Sequence, residues 1–345
     1  MVRVLALAAL GAAVLAFAAG CSHDAAGAGG AGRGPKIGFV TNCVAEFWTI
    51  GKRGAEQGAR ECGATVSVLM PPNAQVQEQK GFLEDLLSKG VDGIALSPID
   101  PGNMTELLDE IAGRTLLVTH DSDAPASKRL AYIGVDNYDA GRMCGRMVAE
   151  ALPDGGAIVV VVGNLDQDNA RRRRQGLIDE LLGRSHDPAR FDSQDARLKG
   201  DKYEIRASYT DQFDHQKTKA LAEDALVRWS DIAAMVGLFE YEPPILLEAV
   251  KAADRLAAVK VVGFDENEAT LQGIVDGEIV GTIVQNPYEY GRQSVLLLAA
   301  LARAEDAAAR AALLPKDGYL PIPARAITKT NVVAFRDDLR QKLGK

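Results

Sequence analysis

The sequence predicts an α/β protein built of two doubly wound parallel-sheet lobes. Three observations predict it. The chain of 345 residues outgrows a single hydrophobic core, which stops enlarging near ~250 residues. From residue 35 onward, short apolar β-branched runs alternate with amphipathic helical stretches, the pattern of parallel strands covered by helices on both faces. The alternation also runs through two comparable sets of strands, so two sheets in tandem are the natural arrangement.

Residues 1–20 stand apart from this pattern. A basic start over residues 1–3 precedes an apolar run over 4–19, which reads as an export signal and is too short for a membrane-spanning helix. It ends Ala18-Ala19-Gly20-Cys21, small residues directly before a cysteine. This resembles the lipobox of bacterial lipoproteins, so Cys21 is the expected lipidation site, against the alternative of a plain secretory signal with an incidental cysteine. Residues 21–34 are Ala/Gly-rich with almost no apolar bulk and read as a flexible tether. The glycine run at 27–32 is no nucleotide loop, because no strand precedes it and no helix follows.

The first set of strands is expected at 36–40, 65–69, 93–96, 116–119 and 132–135. The second is expected at 157–162, 203–208, 233–238, 260–263 and 280–284. The charged segment 186–206 reads as a surface elaboration of the second lobe. Val333, Leu339 and Leu343 lie among charges and read as a terminal amphipathic helix packed on that lobe. Cys43 and Cys62 flank a helix about 22 Å long, too far apart for a disulfide, and Cys144 reads as a small buried hydrophobe.

Composition excludes several functions. A net charge of −8 gives no electrostatic reason to bind nucleic acid. With four histidines, no H-E-x-x-H, no G-x-S-x-G and no Walker loop, neither a metal, a cofactor nor catalysis is expected, His120 beside Asp121 notwithstanding. Parallel sheets bind ligands beyond the carboxyl ends of their strands. There the first set carries Thr41, Asn42, Phe47, Trp48, Ser97, His120, Asp121, Ser122, Asp136 and Asn137. The second carries Asn164, Arg171, Phe213, Glu242, Asp265 and Gln285. Each set makes a shallow half-site, and two facing lobes would enclose one.

In order along the chain stand KIGFVTNCVAEFWTIGKRGAEQGA, VDGIALSPID, LLVTHDSDA, AYIGVDNYDAGRM, NARRRRQGL, VVGFDENE and GTIVQNPYEYG. Together they resemble the periplasmic sugar-binding proteins of ABC transporters, in the ribose-binding cluster with the type I solute-binding fold, and the resemblance implies a three-segment hinge, with crossings near Val135, Gln285 and Leu320 that give a first lobe of 35–135 plus 286–319 and a second of 136–285 plus 320–345. The resemblance implies that Phe47 and Trp48 are the aromatic pair, Asp121 and Asp265 the strand-end aspartates, Arg171 the helix-start arginine, Phe213 a second-lobe aromatic and Gln285 the glutamine, with Asn137 a further polar contact. The chain departs from the pattern at Ala45, where asparagine is usual, at Ser122, where arginine follows the aspartate, and at Glu242, near a usual asparagine.

The chemistry agrees. A sugar needs flat apolar surfaces for its C–H faces and charged groups for its hydroxyl rim. Phe47, Trp48 and Phe213 suit the first role, with core packing as the alternative. Asp121, Asp265 and Glu242 suit the second, each hydrogen bond to a charged acceptor contributing ~1.5–3 kcal/mol; Glu242 and Asp136 have the alternative of capping helices. Of Arg171 to Arg174, successive residues point about 100° apart, so one or two face the cleft, and Arg171 is the candidate. The opposing carboxylates favour a neutral sugar, polyol or amino sugar over a sugar phosphate.

The expectation is an exported, monomeric solute-binding lipoprotein, periplasmic or cell-surface and held to the membrane only through Cys21. It would capture a monosaccharide by hinge closure and deliver it to an ABC import permease. The alternative is a sensor that presents the ligand to a chemoreceptor or kinase. A lac-type repressor is excluded, since an export signal stands where a DNA-binding helix-turn-helix would be.

Overall fold

The computed structural model describes residues 34–343; the export signal, Cys21 and most of the tether lie outside the described residues. The chain begins β1 (Lys36–Val40), α1 (Glu46–Cys62), β2 (Thr65–Leu69), α2 (Val76–Ser88), β3 (Gly93–Leu96), α3 (Pro101–Arg114), β4 (Leu116–His120) and β5 (Ala131–Gly134). A second run follows: α4 (Asn137–Ala151), β6 (Gly156–Val162), α5 (Asp168–Leu181), β7 (Leu198–Lys199), β8 (Tyr203–Thr210), α6 (His215–Arg228), β9 (Ile232–Gly237), α7 (Glu242–Ala252), β10 (Lys260–Phe264), α8 (Glu268–Asp276) and β11 (Gly281–Val284). The closing elements are α9 (Pro287–Arg303), α10 (Ala307–Leu313), β12 (Tyr319–Pro321), β13 (Arg325–Thr328) and α11 (Val332–Leu343).

These strands make two sheets, as the alternation requires. One runs β12-β5-β4-β3-β1-β2 and the other β13-β11-β10-β9-β6-β8-β7. Every pairing is parallel except β13 on β11 and β7 on β8. Both faces of each sheet are covered, which period-two burial makes plain. Ile37 and Phe39 of β1 pack with Ala55, Val295 and Leu298 of α1 and α9, whereas Val40 packs with Leu83, Leu86, Met104 and Leu108 of α2 and α3. In β6, Ile158, Val160 and Val162 meet Cys144 and Leu177 of α4 and α5, while Val159 and Val161 meet Ala222, Leu226 and Leu246 of α6 and α7.

The chain passes between the sheets three times: from β5 into α4, from β11 into α9 and from β12 into β13. The last passage falls after Pro321, because Leu320 pairs with Ile133 in the first sheet. Strands β7, β12 and β13 are additions to the expected ten, and β8 extends to Thr210. Segment 186–206 is thus partly the edge of the second sheet, through β7. Its Asp192 is also tied down, accepting from Gln175 Nε2 at 2.8 Å and donating its backbone N–H to Gln175 Oε1 at 2.7 Å. The terminal helix packs on the second lobe as expected, against α8 and with Leu339 on the core, but its buried anchors are Val332 and Phe335, while Val333 is 60% exposed.

The helix pair over the second sheet is unusually close. A Cβ on Gly141 of α4 would stand 2.1 Å from the Arg173 carbonyl, and one on Gly176 of α5 would stand 2.0 Å from that of Tyr138. Only glycine permits that approach, and it fixes the rotation of α5 about its axis, hence which of its arginines turn inward.

Candidate functional site

The strand tips of both sheets meet around a cavity of about 380 Å³. From the first lobe it is lined by Asn42, Cys43 and Ala45 after β1, Phe47 and Trp48 of α1, and Asp121 after β4. From the second come Asn169 and Arg173 of α5, Phe213 after β8, Phe239, Glu240 and Tyr241 after β9, Asp265 after β10 and Gln285 after β11.

Its polar centre is Asp121, 3% exposed. Asp121 Oδ2 accepts from Ser97 Oγ at 2.9 Å, Asn169 Nδ2 at 3.1 Å and Asn42 Nδ2 at 3.4 Å, while Oδ1 accepts from Arg173 Nη2 at 3.4 Å. Asn169 and Arg173 belong to the opposite lobe, so these bonds join the lobes directly. Asp265 Oδ2 lies 3.9 Å from Arg173 Nη1, and Asp265 Oδ1 accepts from Gln285 Nε2 at 2.8 Å. Gln285 Oε1 in turn accepts from Tyr290 Oη of α9 at 2.9 Å, which ties the middle crossing to the first lobe.

Arg173 is held from every side. Its Nε donates to Asn137 Oδ1 at 2.9 Å, its Nη1 to the Leu238 carbonyl at 3.2 Å, and its guanidinium lies 4.9 Å from the Phe264 ring centroid and 5.6 Å from that of Phe239. One cation thus faces two aspartates. Aromatic walls flank the group: Phe47 meets Trp48 edge to face at 4.8 Å, and Phe213 meets Phe239 at 5.6 Å. Trp48 is locked by its Nε1 donating to Asn42 Oδ1 at 2.8 Å, with His120 against it at 5.3 Å. Burial takes His120 down to about 3, so it is a neutral ring stacked on Phe39 at 4.3 Å rather than an acid–base group.

Most expected site residues converge here, with three exceptions. Arg171 does not: its side chain is 42% exposed, lies 3.7 Å from Asp168 and covers Phe191. Two residues along a helix is a rotation of about 200°, and the α4–α5 packing turns Arg173 inward instead. Glu242 is fully buried off the cavity, where its Oε2 accepts from the Phe239 N–H at 3.0 Å; it holds the start of α7, and Glu240, two residues earlier, takes the wall. Asn137 stands behind the cavity, donating to the Asp121 carbonyl at 3.1 Å while orienting Arg173. Asp136 caps α4, accepting from the Tyr138 and Asp139 N–H groups.

Burial presses on the acids. It takes Asp265 up to about 7 despite Arg173 and Gln285, and it raises Asp121 and Glu240 as well. A carboxyl whose folded pKa lies above its unfolded value of about 3.9 binds its proton more tightly in the fold. Its stability contribution is therefore fully present in acid and is lost as pH rises through about 7. The unfolding midpoint of the ligand-free protein should accordingly fall between about pH 4 and pH 7, the window those values bracket, and Asp265→Asn should flatten part of that fall; a midpoint that rises across the window contradicts the assignment.

Residues 37–306 match the periplasmic binding protein domain family. The chain is 26% identical over 252 residues to a ribose import binding protein of Haemophilus influenzae, covering 72% of this chain and 79% of that one. It is 24% identical over 308 residues to a D-ribose/D-allose-binding protein of Pseudomonas aeruginosa, covering 85% and 89%. Among solved structures, an ABC transporter solute-binding protein of Burkholderia graminis in complex with D-arabinose superposes with TM-score 0.76 at 22% identity, over 87% of this chain and 97% of that one. A glucose-galactose binding protein of Geobacillus stearothermophilus gives TM-score 0.75 at 23% identity, over 86% and 98%.

Proposed function

Because this chain belongs to the periplasmic binding protein domain family, we propose that it is an exported protein that captures a monosaccharide-sized polyhydroxylated ligand between its lobes and delivers it to an ABC import permease. The observation that carries the reading is the pair Asp121 and Asp265, one from each lobe, flanking Arg173 inside an aromatic-walled cavity. Hydroxyls can bridge those groups, and aromatic faces can take the C–H surfaces. Only a ligand spanning both half-sites gains from bringing them together, so binding shifts the lobes toward closure about the three crossings. The import proteins among the relatives favour a permease over a sensor as partner. Cys21 is the proposed lipid anchor, and the protein acts as a monomer.

The test is a thermal-shift screen of pentoses, hexoses, polyols and amino sugars on purified protein beginning at Ser22. A cognate ligand at a hundredfold excess over its Kd adds about 2.7 kcal/mol and should raise the midpoint by several degrees. If no compound raises it, sugar capture is refuted.

A further inference from the structure

The cavity wall carries three carboxylates against one cation. Asp121 and Asp265 share Arg173, but Glu240, 8% exposed on the same wall, accepts from the Asn267 amide at 2.5 Å and forms no ion pair among the described residues. The charged and titratable groups acting on Glu240 include Glu46 of α1, His215 at the start of α6, and Asp265 and Glu266 after β10. Of these only His215 can be positive, and it is exposed and stacked on Tyr241 at 4.8 Å. Behind the wall lie Glu266, 5% exposed with Arg325 acting on it, and Glu242, which shares a hydrogen bond with Asp211; neither supplies a cation to Glu240. A neutral sugar filling this cavity would displace water from Glu240 and supply no charge, and an uncompensated buried carboxylate is costly. An acidic or phosphorylated ligand would add repulsion.

The aromatic lining points the same way. Phe47, Trp48, Phe213, Phe239 and Tyr241 present five ring systems to one small volume, and aromatic faces attract cations as well as C–H bonds. Resting on the reading of this cavity as a sugar or polyol site, we infer that the ligand carries a protonated amine and that Glu240 is the specificity-determining residue that receives it. Glu240 then separates an aminated polyol from its hydroxyl counterpart, while Asp121, Asp265 and Arg173 hold the hydroxyls common to both.

The experiment is calorimetric titration with matched pairs, glucosamine against glucose, galactosamine against galactose and an aminodeoxyinositol against inositol, on the parent protein and on Glu240→Gln. The tightest binder should be an amine, roughly tenfold or more tighter than its hydroxyl counterpart, as one charge-assisted hydrogen bond implies, and Glu240→Gln should bring that ratio close to one. The inference is overturned if the hydroxyl member of a binding pair matches or exceeds its amine, or if the preference survives in a folded Glu240→Gln protein. Binding of hydroxyl compounds alone would sink the amine and leave sugar capture standing. Failure of both classes would remove sugar capture itself and the amine with it.

Discussion

Arg173→Met should bind no ligand at concentrations that saturate the parent protein, whereas Arg171→Ala should bind as the parent does. Arg173 is 1% exposed and is the cation that Asp121 and Asp265 share from the two lobes. Removing it places two buried carboxyl groups opposite each other without compensation, and like charges in one site drive a proton onto one of them. Breaking a buried pair from one side costs about 3–5 kcal/mol, so the variant should also lose several degrees of thermal stability. Arg171 is partly solvated, and its truncation should change stability by no more than about 0.5 kcal/mol. Titration calorimetry and a melting curve on both proteins decide it; equal losses in the two variants would contradict the assignment of Arg173 over Arg171.

The second large effect is expected at Asp121. Asp121→Asn keeps the size of the side chain but replaces one charge-assisted acceptor oxygen by a donor that faces the amides of Asn42 and Asn169. Losing the charge that receives the ligand's hydroxyls, at about 1.5–3 kcal/mol per hydrogen bond, should weaken ligand binding tenfold or more, since about 1.4 kcal/mol is a factor of ten. The fold should survive, because the packing around β4 is apolar and unchanged. Retained affinity in a folded Asp121→Asn protein would remove this residue from the site.

The strands that the sequence shows plainly are those buried on both faces, since they read as unbroken apolar runs such as Ile158 to Val162. Strands β7, β12 and β13 carry no such signal: they are two to four residues long and include Lys199, Pro321 and Arg325. Their neighbours make them strands. The two aspartates were legible because each follows a strand tip directly. Four consecutive arginines, by contrast, contain no information about helix phase, which here is set by Gly141 and Gly176 where α4 touches α5. Glu240 and Glu242 are similarly separated by where α7 begins: Glu240 stands in the loop after β9, while Glu242, followed by Pro243 and Pro244, opens the helix.

Asp121 and Asp265 share one further property: both have left-handed backbone, with φ of 60° and 64°. Among residues with a side chain, Asp and Asn tolerate that conformation best, and β-branched ones resist it. The two posts of the cavity therefore vary most cheaply between acid, amide and glycine. A β-branched replacement at either post costs stability of order 1–3 kcal/mol before it changes a ligand contact, and Phe213 with φ of 63° carries a similar constraint, so new ligand preference is better sought at wall positions outside the left-handed region, such as Phe239 and Glu240.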